Sequence, residues 1–543
     1  MWQALIDGLS ILIEEWTVVL GTVGVVCLGC SVSFFLLRNS FKEKTEFRRS
    51  ALLLSSFFAI SVILRLAFLT ETFVPPYFDS VEHYRIVKEL VTALEESTLL
   101  EAIPALTPDY YHLGFHFLAS LLAFGLRANP IDVILVLGQV MLAAIPIPVF
   151  FLIRHETQSE LAAIFGMLLA GFGWYMPGFA VNWGKYPALT GLLALEIVLT
   201  IAYSISPKKS GRNQLLYIGL LLSAVLVSTL FHTRTLIVIA ISIVSWLIAG
   251  KIRILPKSFQ VFLLGILLAG ILVLGRIIQE EPLLNLALEP YLSDGLWVTL
   301  TVLVLSPFAL IKFSWGFYFN LLFILCIFAT LFIPIDIRST GLENQTMLDR
   351  PFVEMLLYLP LSILGGLGLA GILQFLGDIK VFSEQLRRYA RILITILLLG
   401  FTALMSLGRY NFHPSDCCNF VGYDDTVAMD WIDRNLPPDA RILIAATQMS
   451  VLPAGPSAGL VGTDAGIWIP ALTGRVTTFA PFETDFRSKS TLEQLCRMQV
   501  DYVYVGGTDQ KFNAEQLNEK TEWYDGVLFL PNVQLYQLTG CSG

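Results

Sequence analysis

"YFDSVEHYRIVKEL" (residues 77–90) breaks into a very apolar chain with Asp79, Glu82, His83, Arg85, Lys88 and Glu89, set around Tyr77 and Tyr84. Just before it, residues 51–70 form an apolar block long enough to cross a bilayer as a helix, for which about 20 residues suffice. Similar blocks, separated by short polar connections, continue to residue 407. Of the 543 residues, 55% are hydrophobic and only 14% charged, and the mean hydropathy is +0.70. A soluble protein averages about 25% charged residues, so this chain lacks the polar surface to face water all round. Its solvent is lipid. The expected fold is an α-helical polytopic membrane protein with about 12–13 transmembrane helices and a C-terminal soluble α/β domain.

Spans are predicted at 16–37, 51–70, 131–153, 160–180, 187–206, 214–231, 234–250, 260–277, 295–312, 315–334, 353–376 and 389–407, with 112–127 ambiguous. Lys and Arg collect in cytoplasmic loops. The basic connections are "RNSFKEKTEFRRS" (38–50), "SPKKSGRN" (206–213), "KIRILPK" (251–257) and "GDIKVFSEQLRRYAR" (377–391). With these inside, residues 71–110, 181–186, the region of 232, 278–294, 335–350 and 408–543 lie outside. The stretch 71–130 must then begin and end on one side, so "YYHLGFHFLASLLAFGL" (110–126) is expected to dip into the membrane and not cross it. Three parts follow: an extra N-terminal helix with its basic loop (1–50), a transmembrane domain with external first loop 71–110 (51–407), and an external domain (408–543).

The last part has no span. It holds 9 Lys+Arg against 16 Asp+Glu, so 9 − 16 = −7 of the chain's −8 resides there, and no nucleic-acid footprint is present. "DDTVAMDWIDRNLPPDARILIAA" reads as a helix, a Pro-Pro turn and a buried strand at Ile442–Ala446. "STLEQLCRMQV" reads as a second helix before the strand "DYVYVGG" (501–507), and the closing segment as a final strand or hairpin. The loop "VGTDAGIWIPALTGR" (461–475) either exposes Trp468 near Asp464 or, as the favoured reading, packs it as part of a structural loop. Cys417, Cys418, Cys496 and Cys541 stand where disulfides form, although the adjacent Cys417 and Cys418 are not expected to pair with each other.

Three external clusters carry chemistry. A helix over 80–96 places Asp79, Glu82 and His83 at i, i+3 and i+4 on one face, a set suited to general-base work or a divalent cation. Asp79 with Glu82 also has capping-box spacing. The second cluster, "FAVNWGKYPAL" (179–189), brings Trp183, Lys185 and Tyr186. The third is a scatter of cations: His232 and Arg234 in "FHTRT", Arg338 in "IDIRST" and Arg350 in "LDRPF". Arginines at an outer interface suit a phosphate headgroup through bidentate hydrogen bonds. His112 and His116 have the i, i+4 spacing of helical metal ligands. Glu196, inside a span, is expected to face the bundle interior.

Together these features resemble the GT-C superfamily of polytopic glycosyltransferases. "FDSVEHYR" (78–85) is similar to the acidic first-loop motif of oligosaccharyltransferases and protein mannosyltransferases. "YYHLGFHFLASLLA" (110–123), "NWGKYPALTGLLAL" (182–195) and "LDRPFVEMLLYLPLSILGGLGLAG" (348–371) are similarly placed in prokaryotic and aminoarabinose-transferase-like members. The resemblance implies a polyprenyl-phosphate sugar donor and a lipid, glycan or protein acceptor. Asp79 would be the catalytic carboxylate, assisted by Glu82. His83, Arg85, Lys185, Tyr186, His232, Arg234 and Arg350 would bind substrate, with Arg350 at the lipid phosphate. A divalent cation (Mg or Mn), if used, would sit on Asp79. The expected location is the plasma membrane of a prokaryote, with an extracytoplasmic C-terminal domain. The chain departs from oligosaccharyltransferases in having no second acidic motif at 181–186 and no Trp-Trp-Asp in its tail. A transporter, or an inactive relative serving as scaffold or sensor, are the alternative readings.

Overall fold

The computed structural model describes residues 1–37, 44–106, 112–204, 212–256, 258–260, 262, 265–266, 281–337, 342–379, 383–407, 410, 412–448 and 460–541. The chain is an α-helical polytopic membrane protein with a C-terminal α/β domain, as its composition requires. Six described helices are long and apolar enough to cross a bilayer: Thr45–Glu71, Pro130–Thr157, Tyr186–Tyr203, Arg234–Ile252, Arg350–Asp378 and Glu384–Leu407. Two bent pairs, Trp2–Glu14 with Trp16–Ser31 and Pro282–Asp294 with Leu296–Lys312, raise this to eight if each is one span. Leu215–Phe231 and Ser314–Thr330 are shorter apolar helices. The span expected at 260–277 falls largely outside the described residues, as does Arg338.

Two expectations change in length. The helix predicted over 160–180 ends at Phe172, and the chain then turns through a short 3-10 segment, Gly178–Val181. This turn carries the 182–186 loop to the end of the bundle. The segment predicted to dip forms Gly114–Leu126. Thirteen residues rise only about 20 Å, too short for a hydrocarbon core of about 30 Å.

Close approach of helices depends on small residues, because lipid tails supply no hydrophobic force between them. The "GGLGLAG" run of Tyr358–Asp378 packs on Leu296–Lys312. A Cβ on Gly368 would lie 2.7 Å from the Leu305 carbonyl oxygen, so a larger side chain would part these helices. Glu196 is fully buried in the interior and accepts a 2.6 Å hydrogen bond from the Tyr358 hydroxyl. At the bundle end remote from the first loop, Arg154 pairs with Glu46, and Arg49 with Glu160.

The C-terminal sheet is built on Arg441–Gln448. This strand lies parallel to Val476–Pro481 and Tyr502–Val505, and antiparallel to Leu460–Gly462. The antiparallel pair Tyr524–Phe529 and Gln534–Leu538 extends the sheet beyond Tyr502–Val505. The alternation of the central strand explains its unbroken apolar run. Ile442 and Ile444 join the core with Ala428, Met429 and Ile432 of the helix Tyr423–Asn435, while Leu443 and Ala445 face Leu492 and Leu495 of Lys489–Arg497. A strand covered on both faces needs apolar residues at every position.

In this domain one reading holds and one is corrected. Trp468 is packed, 1% exposed: its ring lies 5.6 Å from Tyr84 of the first-loop helix and pins the domain to the bundle. Cys417 and Cys418 are disulfide-bonded to each other, and Cys496 to Cys541. Adjacency alone was the ground for excluding the first pair, and the turn at 415–418 accommodates it.

Candidate functional site

The first loop forms the helix Asp79–Glu95, entered through Tyr77 in the left-handed region at φ 70°. A non-glycine residue holds that conformation only when its surroundings fix it. Here the Tyr77 N–H donates to the Cys418 carbonyl at 2.9 Å, tying the loop to the C-terminal domain. The helix N-cap is Phe78, which makes no side-chain cap hydrogen bond. The capping-box expectation is therefore wrong by one register: Asp79 is already the first helical residue. Its carboxylate sits at the positive end of the helix dipole.

Asp79 forms an ion pair with Lys185, and both side chains are about a third exposed. Gly184 makes this approach possible. It has φ 63°, and a Cβ there would collide with the Ser80 hydroxyl and come within 3.2 Å of the Pro76 carbonyl. On the same loop, the Asn182 side chain accepts a 2.7 Å hydrogen bond from the Ser415 N–H. Burial works to lower the Lys185 pKa, but the neighbouring Asp79 and Asp349 carboxylates outweigh it and hold the ammonium above its usual range.

Two more ion pairs stand nearby. Arg234 donates to Asp349 at 2.7 Å, while the second carboxylate oxygen of Asp349 caps the helix Arg350–Leu356 through the Phe352 N–H. Arg350 pairs with Glu354 at 2.8 Å and lies 5.9 Å from the centre of the Trp183 ring. Burial raises the Tyr77 pKa and Asp79 adds to this, against Lys185 and Arg350. The structure thus joins four separated segments of sequence into one array.

Behind Asp79 lies a group of buried imidazoles. His83 Nδ1 is 3.0 Å from His116 Nε2, and the His112 and His232 ring centres are 4.6 Å apart. His232 also stacks on Phe352 at 4.9 Å, and its Nδ1 is buried without a hydrogen-bond partner. Burial pushes His83 down to about 4 and His112 to about 3, so both rings are neutral near neutral pH.

Among the expected residues, Asp79, His83, Lys185, His232, Arg234 and Arg350 come together. Glu82 and Arg85 do not join them. They pair with each other at 2.6 Å, Arg85 also reaching Glu89, and line a separate groove of about 810 Å³ between the first-loop helix and the C-terminal domain. Tyr186 is fully buried with its ring stacked on Phe115, a packing position and not a surface for substrate. The sequence reading missed Asp349 and Glu354. The signal was present in "LDRPFVE": an Asp before an early-helix Pro marks an N-cap, and Arg and Glu at i, i+4 form a helical pair.

A divalent cation fits this arrangement poorly. Each carboxylate of the array is engaged by Lys or Arg, and among the described residues no three His, Cys, Asp or Glu are grouped to hold a metal.

The fold is similar to that of the oligosaccharyltransferase of Archaeoglobus fulgidus, solved in complex with zinc and sulfate. The two share 13% identity and superpose with a TM-score of 0.50, over 90% of this chain and 73% of that one. At this identity the likeness is one of fold alone. No curated protein matches the chain by sequence. A family model does match, over residues 4–276, and by that match the chain belongs to the family of unknown function DUF6541.

Proposed function

We propose that the protein is a membrane glycosyltransferase that moves a sugar from a polyprenyl-phosphate donor to an acceptor hydroxyl on the extracytoplasmic face, with inversion. The reading rests on the array at one end of a GT-C-like bundle, where Asp79 meets Lys185 beside Arg234 and Arg350. Transfer from a phosphate needs a base for the acceptor and positive charge for the leaving group, and the array holds both.

The ion pairs suggest how the two roles are coupled. A donor phosphate competes with Asp79 for the Lys185 ammonium, and the Arg350 guanidinium can grip it through two parallel hydrogen bonds. Asp79, released, accepts the proton of the acceptor hydroxyl. The acceptor oxygen then attacks the anomeric carbon from the side opposite the phosphate. The bond from that carbon to the phosphate oxygen breaks, and its electron pair leaves with the phosphate, to be met by Lys185 and Arg350. A single displacement inverts the centre. The extracytoplasmic placement is supported by the four basic connections and by two disulfides in the C-terminal domain.

The test uses proteoliposomes loaded with undecaprenyl phosphate bearing tritiated glucose, mannose or galactose, with label followed into products other than the donor. Asp79→Asn is expected to lower transfer by about a hundred-fold or more while the melting temperature stays within a few degrees of wild type. Transfer at the wild-type rate in that variant would overturn the assignment.

A further inference from the structure

A second cavity, of about 900 Å³, lies on the other side of Tyr77 and Phe78, between the first loop and the C-terminal domain. Unlike the array, whose carboxylates are matched by cations, it is acidic. The lining includes Glu71, Asp416, Asp424, Asp425 and Asp509, and no described lining residue is Lys, Arg or His. An anionic donor phosphate would be repelled there. Two of these carboxylates are already engaged: Asp424 accepts from Asn532, and Asp425 from Tyr504. Asp416 and Asp509 are exposed on the wall.

The rest of the lining is amide, hydroxyl and aromatic. Tyr423 is 68% exposed and Phe73 45%, with ring centres 6.3 Å apart, so both present open ring faces. Asn419 donates its amide N–H to the Glu71 carbonyl, and its side-chain oxygen, itself buried, has no hydrogen-bond partner among the described residues. Aromatic faces that cover C–H surfaces, with carboxylates and amides aimed at hydroxyls, are the surface a pyranose ring presents a match for. Tyr77 and Phe78 line this cavity and Asp79 follows directly in the chain, which makes the two sites neighbours.

We infer that this cavity is the acceptor site and that it takes a saccharide free of acidic groups, stacked on Tyr423 with its hydroxyls on Asp509. The acceptor role rests on the glycosyl-transfer reading above; the saccharide site does not.

The experiment measures binding to the full chain in nanodiscs with no donor present. The probes are maltohexaose and chitohexaose, an oligogalacturonate of the same length as an acidic control, and hexalysine. A neutral hexasaccharide is expected to bind, Tyr423→Ala and Asp509→Asn each weakening it by about ten-fold, while the oligogalacturonate does not bind. Arg350→Ala leaves this binding unchanged. Failure of both neutral probes, binding indifferent to Tyr423→Ala and Asp509→Asn, or hexalysine binding in place of saccharide each overturns the inference. Saccharide binding that follows those variants, with no transfer from any donor, removes the transferase reading and leaves the saccharide site standing.

Discussion

The end of the helical bundle and the α/β domain bury charge by opposite means. In the bundle, Asp79, Asp349 and Glu354 each face a Lys or Arg, so three carboxylates and three cations form matched pairs. In the α/β domain, Asp464 is fully buried and caps the Ala465–Trp468 turn through the Gly466 N–H at 2.9 Å, with no basic partner among the described residues. Burial, with Asp425 adding its charge, pushes it up to about 8. Paired charges can be exchanged for those of a ligand, whereas a lone buried carboxylate responds to protons. The first region is equipped for an anionic substrate, and the second makes stability depend on pH.

The joint between the regions carries the largest stability effect. Trp468→Ala removes a fully buried indole and its contact with Tyr84, and is expected to cost about 3–5 kcal/mol. Thermal unfolding should then split into separate transitions for domain and bundle; a single transition at the wild-type temperature would mean that they are held together elsewhere. Next comes Lys185→Met, which strands Asp79 without its cation. The pair is partly exposed, so a loss of about 1–2 kcal/mol is expected, with donor binding weakened and saccharide binding intact. If donor affinity is unchanged, the pairing is structural only.

The pH responses sharpen the contrast. His83 has a folded-state value below that of a free imidazole, so its contribution is complete above about 6.5 and is lost as pH falls toward about 4. Asp464 is raised, so its contribution is complete below an ordinary carboxylate's range and is lost as pH rises through about 8. Melting temperatures taken across this range should show a shallower acid limb in His83→Gln, where His112 keeps its own share, and a shallower alkaline limb in Asp464→Asn. The same slope in both variants would show that neither group governs its region. The smallest effect belongs to the fully exposed Arg487–Glu519 pair: Arg487→Ala should leave the melting temperature unchanged.

The charged members of the site were legible because an ionisable residue beside an apolar span has few structural reasons to be there. Asp79, Lys185, Arg234 and Arg350 were all visible on that ground. Their partners were not, since Lys185 reaches Asp79 only through the left-handed turn at Gly184 and the early end of the helix at Phe172. That Trp468 packs was the favoured reading, but what it packs on was hidden for the same reason: Tyr84 is remote in sequence. The alternation that places Ile442 and Leu443 on opposite faces was readable directly, because strand period is local.

The N-terminal helix Trp2–Glu14 meets the following helix at 99° and packs on Thr45–Glu71, Gly8 lying against the Ile63 backbone. Asp7 faces His413 at 3.7 Å, at the same end of the bundle as the C-terminal domain. The helix turns Trp2, Ile6, Leu9 and Ile13 outward, the pattern of a segment lying along the headgroups. Residues 2–14 and 413–541 therefore share one side of the membrane. Reporters fused at either end of this chain must light up in the same compartment, and a tag at the first residue would rest on the bilayer surface beside the site, where it could hinder the approach of a lipid substrate.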